Sequence, residues 1–260
     1  MKIRQIICAL EDFAPLALQD GYDNAGLQIG LPEDVDATGV LLCLDVTEAV
    51  VDEAVSLGCN MVVSHHPLLF HPLKSITGKD FVERVVVKAI KNNITLYAAH
   101  TNLDNAPFGV SHRMAKKLGL THLTWLEPKT GIEGGSGIIG DLPVVCEKEA
   151  FVRRVKEVFK VDCVRFNNWN GTQVRRVAVC GGAGAFLLPH AVADHADAFI
   201  TGEIGYHRFF GHENELLMLE IGHYESEQFT LELFRDIIGK LTSDLPIFDT
   251  QIKTNPILYV

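Results

Sequence analysis

Two imidazoles stand side by side in Ser64-His65-His66-Pro67, directly after the apolar run Met61-Val62-Val63. A short apolar run of this kind reads as a buried strand. His65 and His66 are therefore delivered at a strand's carboxyl end, where open α/β sheets form their ligand crevices. A second dense cluster, Gly222-His223-Tyr224-Glu225-Ser226-Glu227, follows the apolar run Leu216 to Ile221. Neutral imidazole combined with carboxylate is the ligand chemistry of a divalent metal. In a regular strand adjacent side chains point to opposite faces. The two histidines can serve one cluster only where the strand has ended, or if each serves its own ion, and Pro67 stops the ladder there.

A third segment, His100-Thr101-Asn102-Leu103-Asp104, follows the strand pattern Ile94 to Ala99. Asp104 is a candidate ligand; His100 is a candidate ligand or a group that orients one. The alternative is an Asn/Asp-rich turn with no function. His223 and Glu227 are four residues apart, on one face if helical. Glu227 also reads as a charge favoured at a helix start, and Glu225 is a weaker candidate. Three imidazoles and two carboxylates are too few to close two metal sites, and open positions are what catalytic sites keep. A shared carboxylate would hold two ions roughly 3.5–4 Å apart, as in two-metal hydrolases. His207, His100 and Glu203, which lies in Thr201-Gly202-Glu203, are candidates for moving or orienting protons. The Gly-rich run Cys180-Gly181-Gly182-Ala183-Gly184 matches neither a dinucleotide nor a P-loop motif, so close packing explains it better than phosphate binding.

The elements that must position these residues alternate strand and helix. Ile3, Ile6, Ile7 and Leu10 keep helical spacing. Val40 to Val46 reads as a strand, and Thr47 to Leu57 as a helix with Thr47 as N-cap and Gly58 as stop. Asp80 to Lys91 and Glu147 to Lys160 read as helices. Ile138 to Val145, Val174 to Cys180 and Ala198 to Thr201 read as strands. Glu227 to Leu241 reads as one helix, and the tail Pro256 to Val260 as an edge strand. Periodicity fades from about Leu120 to Gly137, the best boundary. The expectation is an α/β fold of two similar lobes with mostly parallel sheets. Residues 1–126, completed by 217–260, would form the first and 127–216 the second, with a metal site at strand carboxyl ends between them.

At 260 residues and 47% hydrophobic, the chain is an ordinary globular length and composition. Its net charge of −10 disfavours nucleic acid and anionic membranes as partners. The six cysteines form no C-x-x-C pair, which fits reduced thiols in the cytoplasm. No apolar run approaches the ~18 residues that span a bilayer.

Taken together, Asp23-Asn24-Ala25-Gly26-Leu27-Gln28, Ser64-His65-His66-Pro67, the His100 to Asp104 segment, Cys180 to Gly184, Thr201-Gly202-Glu203 and Gly222 to Glu227 resemble the NIF-three-like family of dinuclear-metal proteins, called GTP cyclohydrolase I type 2 homologs. The resemblance implies that His65, His66, Asp104, His223 and Glu227 bind two divalent ions per chain (Zn, Mn, Fe or Ni), with Glu227 bridging. It also implies a homohexameric ring. Tyr22 stands where the family often has Trp, and Glu203 where it often has Asp. The run Gly135 to Gly140 lacks an Arg common there. The expected function is a metal-dependent hydrolase acting on a small anionic molecule; the alternative is a metal-binding or scaffold ring without catalysis.

Overall fold

The computed structural model describes residues 1–260, which form an α/β fold with two sheets. The strands are β1 (Gly26–Ile29), β2 (Val40–Cys43), β3 (Met61–Ser64), β4 (Thr95–Ala98), β5 (Thr121–Pro128), β6 (Gly135–Glu147), β7 (Arg165–Phe166), β8 (Gln173–Cys180), β9 (Ala198–Thr201), β10 (Leu217–Glu220) and β11 (Ile247–Asp249). The helices are α1 (Ile3–Phe13), α2 (Glu48–Ser56), α3 (Phe81–Lys91), α4 (Thr101–Asp104), α5 (Val110–Lys117), α6 (Lys148–Phe159), α7 (Leu188–Ala193), α8 (His223–Glu227) and α9 (Thr230–Gly239). No helix is long and apolar enough to cross a membrane.

Two compact units divide the chain. The first comprises Met1–Leu103 with Thr230–Pro256 and holds the sheet β1-β4-β3-β2-β11. Three of its four pairings are parallel and only β1 runs against its neighbour. Strands β2, β3 and β4 are buried at every residue, so each reads as an unbroken apolar run rather than an alternating one. Capping sets the helices. Thr47 Oγ1 accepts from Val50 N at 3.2 Å, and Asp80 Oδ1 from Glu83 N at 2.8 Å. Gly58, at φ +70°, takes the left-handed position after α2.

The second unit comprises Asp104–Phe229 with Ile257–Val260. Its sheet β5-β6-β8-β9-β10-β7 is mixed rather than mostly parallel. Only β8-β9 and β9-β10 are parallel pairs, while β5-β6, β6-β8 and β10-β7 run antiparallel. Phe151, Val155 and Phe159 of α6 fill its core against Val177 and Val179 of β8.

The sequence pattern also misled on the boundary and on the last strand. The stretch from Leu120 to Gly137 is no boundary but most of the β5-β6 hairpin. Its periodicity is faint because glycines fill the packed positions: a Cβ on Gly135 would lie 2.6 Å from the Glu127 carbonyl. Because β5 and β10 both belong to the second sheet, the units part at Leu103/Asp104 and Phe229/Thr230, not at 126/127 and 216/217. The expected edge strand at 256–260 forms no strand. The added edge is β11, pairing parallel to β2, while Pro256 brings no N–H to a ladder.

Candidate metal centre

In the first unit the two histidines continue past the end of β3. His65 N donates to Cys43 O at 3.2 Å and His66 N to Leu44 O at 2.9 Å, so the backbone still follows the path of β2. The side chains no longer alternate to opposite faces, and the rings lie 4.9 Å apart. His100, just past β4, joins them, with its ring 5.3 Å from that of His65 and 5.4 Å from that of His66. One nitrogen from each of the three lies within 4.8 Å of the others.

The orientation of these rings is set by their Nδ1 atoms. His65 is fully buried, and its Nδ1 lies 2.8 Å from Ala99 O. A carbonyl only accepts, so Nδ1 carries the proton and Nε2 a lone pair. His66 Nδ1 makes the same bond to Asp45 Oδ1, and His100 Nδ1 to Asp23 Oδ1, both at 2.8 Å. Asp23 is held firmly: its Oδ2 also accepts from Thr101 N at 3.0 Å and Thr101 Oγ1 at 2.5 Å. Burial pushes its pKa up, but the hydrogen bonds from His100 and Thr101 outweigh that and bring it down to about 2. Asp45 also accepts from Thr254 Oγ1 at 3.1 Å, which ties the segment after β11 to the support of His66. Neither aspartate was singled out for a role from sequence. Asp45 follows β2 as His66 follows β3, so the same strand-end signal marks it.

In the second unit α8 carries His223 at its first position and Glu227 at its last. The expected single helix from Glu227 is instead two, with a break before Thr230, so Glu227 ends a helix and the helix-start reading does not apply. His223 Nδ1 lies 2.8 Å from Glu203 Oε1. In the neutral ring that makes Nε2 the nitrogen with the lone pair, and it lies 3.2 Å from Glu227 Oε2. A lone pair facing a carboxylate oxygen needs a proton or a cation to hold the two together. Two ligands each about 2.0–2.2 Å from one ion have such a separation. Asp104, at the end of α4, brings a carboxylate oxygen within 4.8 Å of one on Glu227. Anions this close disfavour each other's charge, and a divalent ion removes that cost. The donor set of both units thus fits divalent metal.

Packing around Glu227 explains the glycines. A Cβ on Gly182, at φ +61°, would lie 2.4 Å from Glu227 Oε1. A Cβ on Gly202 would lie 2.7 Å from both Gly182 O and Ser226 Oγ. The ends of β8 and β9 can approach α8 only without side chains there. Ser226 Oγ accepts from Gly182 N at 2.9 Å and donates to His223 O at 2.7 Å, fixing the turn of α8 against that loop. Glu225 turns elsewhere, toward Gly222 and Tyr259. His207 lies on the exposed turn Tyr206–Phe209, with its ring against Tyr206 and Phe210, and is not in any group able to hold an ion.

Comparison with known proteins bears on the fold and the family. The family model described as Duf34/NIF3 (NGG1p interacting factor 3) matches residues 1–256. A Lactococcus lactis protein named GTP cyclohydrolase 1 type 2 homolog is 35% identical over 98% of both chains. The Drosophila melanogaster NIF3-like protein 1 is 31% identical over 100% of this chain and 89% of its own. Among solved structures, Staphylococcus aureus protein SA1388 superposes with a TM-score of 0.90 at 27% identity, covering 100% of this chain and 99% of that one. A Bacillus cereus protein related to NIF3 gives 0.89 at 25% identity, covering 100% and 99%.

Proposed function

The chain belongs to the Duf34/NIF3 family, and from that premise we propose that it binds two divalent ions and works as a metal-dependent hydrolase on a small anionic molecule. One observation carries the reading. In His65, His66, His100 and His223 alike, Nδ1 is tied to an oxygen acceptor, so every ring presents Nε2. Orientation of metal-binding histidines by carboxylates and carbonyls is the usual support of such a centre.

His65, His66, Asp104, His223 and Glu227 would hold the ions, with Glu227 shared. When bound, such ions supply Lewis acidity and a water that ionises near neutral pH. The remaining residues prepare the site for that chemistry. Asp45 and Glu203 keep His66 and His223 in the Nδ1–H tautomer. Asp23 does the same for His100, whose Nε2 then accepts a proton and returns it. The relatives' name, GTP cyclohydrolase 1 type 2 homolog, is compatible with a hydrolytic reaction and supports this reading without defining the substrate.

The test is a panel of phosphate, ester and amide substrates on metal-loaded protein, with Asp104→Asn as control. Metal-dependent turnover lost in the variant is the expected result. Full metal loading without turnover on any class favours a second reading, a metal-binding ring that recruits partners, for which the family's description as an interacting factor speaks. In either case we expect a homohexamer. Light scattering near the 28.7 kDa chain mass at micromolar concentration would overturn that expectation.

A further inference from the structure

A groove of about 1060 Å³ opens in the first unit beside the histidine cluster. Its walls are aliphatic: Ile29 of β1, Val86 and Ile90 of α3, and Leu73 and Ile76 of the segment 69–80. Ile76 and Ile90 are each more than half exposed, at 53% and 55%. Apolar side chains gathered this way at a surface mark a binding site more often than chance. No lysine or arginine lines the groove, and its only carboxylate is Asp23, already committed to His100 and Thr101.

The wall formed by segment 69–80 is held in place. Glu83 accepts from Ser75 Oγ, Thr77 N, Thr77 Oγ1 and Lys79 N at 2.8–3.2 Å, drawing that segment onto α3. Gln28 Oε1 accepts from Leu69 N at 3.1 Å, and Asn24 Nδ2 donates to Leu69 O at 2.7 Å. The groove is therefore formed before anything enters it, as small-molecule sites usually are.

One end of the groove borders His100 through Phe70 and Asp23. Phe70 lines it, and its ring meets that of His100 edge-on at 6.2 Å. Tyr22 stands across from Phe70, with ring centroids 6.3 Å apart. We infer that this groove takes the body of the substrate, and that the substrate is a small molecule with an uncharged aromatic body and one oxyanion head. The body is uncharged because an ion in an apolar groove without a partner is costly. It is aromatic because Tyr22 and Phe70 offer ring edges and faces at the end where it must turn toward the histidines. The head is anionic because the proposed function, on which this inference rests, puts divalent cations at the histidines beside the groove.

The test compares two probes that share a head and differ in body. Zn²⁺-loaded protein is titrated calorimetrically with methylphosphonate and with 1-naphthylmethylphosphonate. The expected result is at least tenfold tighter binding of the naphthyl probe, with the ratio falling toward one in Ile76→Glu and Ile90→Glu. A second measurement needs no metal: 1-naphthol fluorescence should report binding to metal-free protein and none to Ile90→Glu. Equal affinity for the two phosphonates on metal-loaded protein overturns the inference. Protein that takes up no metal but binds 1-naphthol overturns the metal reading and leaves the groove standing. A change of mass by light scattering in either glutamate variant makes a second copy of this chain the occupant, which also overturns the inference.

Discussion

The two units prepare their candidate metal-binding side chains by different means. The first builds its cluster from the ends of parallel strands, and each histidine is steadied by an acceptor delivered from a neighbouring strand end or loop: Ala99, Asp45 and Asp23. The second relies on a five-residue helix, α8, pressed against loops whose glycines let backbone come close. The support differs in exposure too. The Asp23 side chain is 0% exposed, while that of Glu203 is 59% exposed. The end of a paired strand fixes direction through backbone register, so hydrogen bonds suffice to finish the site. A short helix has little register of its own and depends on packing.

Removing Glu227, the carboxylate expected to serve both ions, should have the largest effect. Glu227→Ala should lose both ions, while His65→Ala should weaken one. Metal analysis of the two purified variants checks this, and full occupancy in Glu227→Ala would move the bridge to another residue. Next comes packing. Gly182→Ala forces a methyl into Glu227 from a left-handed backbone position, so it should cost about 1–3 kcal/mol and also weaken metal binding. Urea denaturation of metal-free protein reads the first effect separately from the second. An unchanged midpoint would show that the loop yields and that α8 does not depend on this contact.

The supporting carboxylates should rank by burial. Asp23→Ala and Asp45→Ala should change the affinity or activity of the centre by roughly 10–100-fold, the usual scale for groups that orient ligands. Glu203→Ala should do less, because water can replace an exposed acceptor. Asp45→Asn should recover part of the loss, since its amide oxygen still accepts from His66. Equal losses at Asp23 and Glu203 would erase the contrast between the units.

The smallest effect concerns the groove wall. Hydrogen bonds from the Thr77 backbone and side chain and from Lys79 hold the Glu83 pKa down to about 2. A lowered carboxylate pKa adds stability above its unfolded value and loses it as pH falls through the folded one. The wall should therefore hold above about pH 4.5 and loosen toward pH 2. The Thr77 and Lys79 amide resonances should titrate over that range; insensitivity to acid there would disconnect Glu83 from the loop.

The positions of His65 and His66 at the end of β3, and of Asp104 and His223 on the short helices after β4 and β10, were legible because apolar runs stop abruptly at polar residues able to ligate metal. Asp45 was harder to see, since its role depends on β2 lying beside β3, a pairing that no local pattern encodes. Asp23 required the loop before β1 to fold onto Thr101. Strand β6 was read only from Ile138, because Gly135 and Gly137 interrupt the alternation by which a strand is recognised, and its partner β5 went unread. The break between α8 and α9 escaped because the apolar positions Phe229, Leu233 and Ile237 keep helical spacing through it.

Metal content of the purified wild-type chain, measured by plasma mass spectrometry after reconstitution with Zn²⁺, Mn²⁺, Fe²⁺ or Ni²⁺ and removal of free ion, bears on the central claim most directly. The account predicts about two ions per chain with at least one of these metals, by the two-metal logic of such sites. No more than trace metal with all four would contradict it.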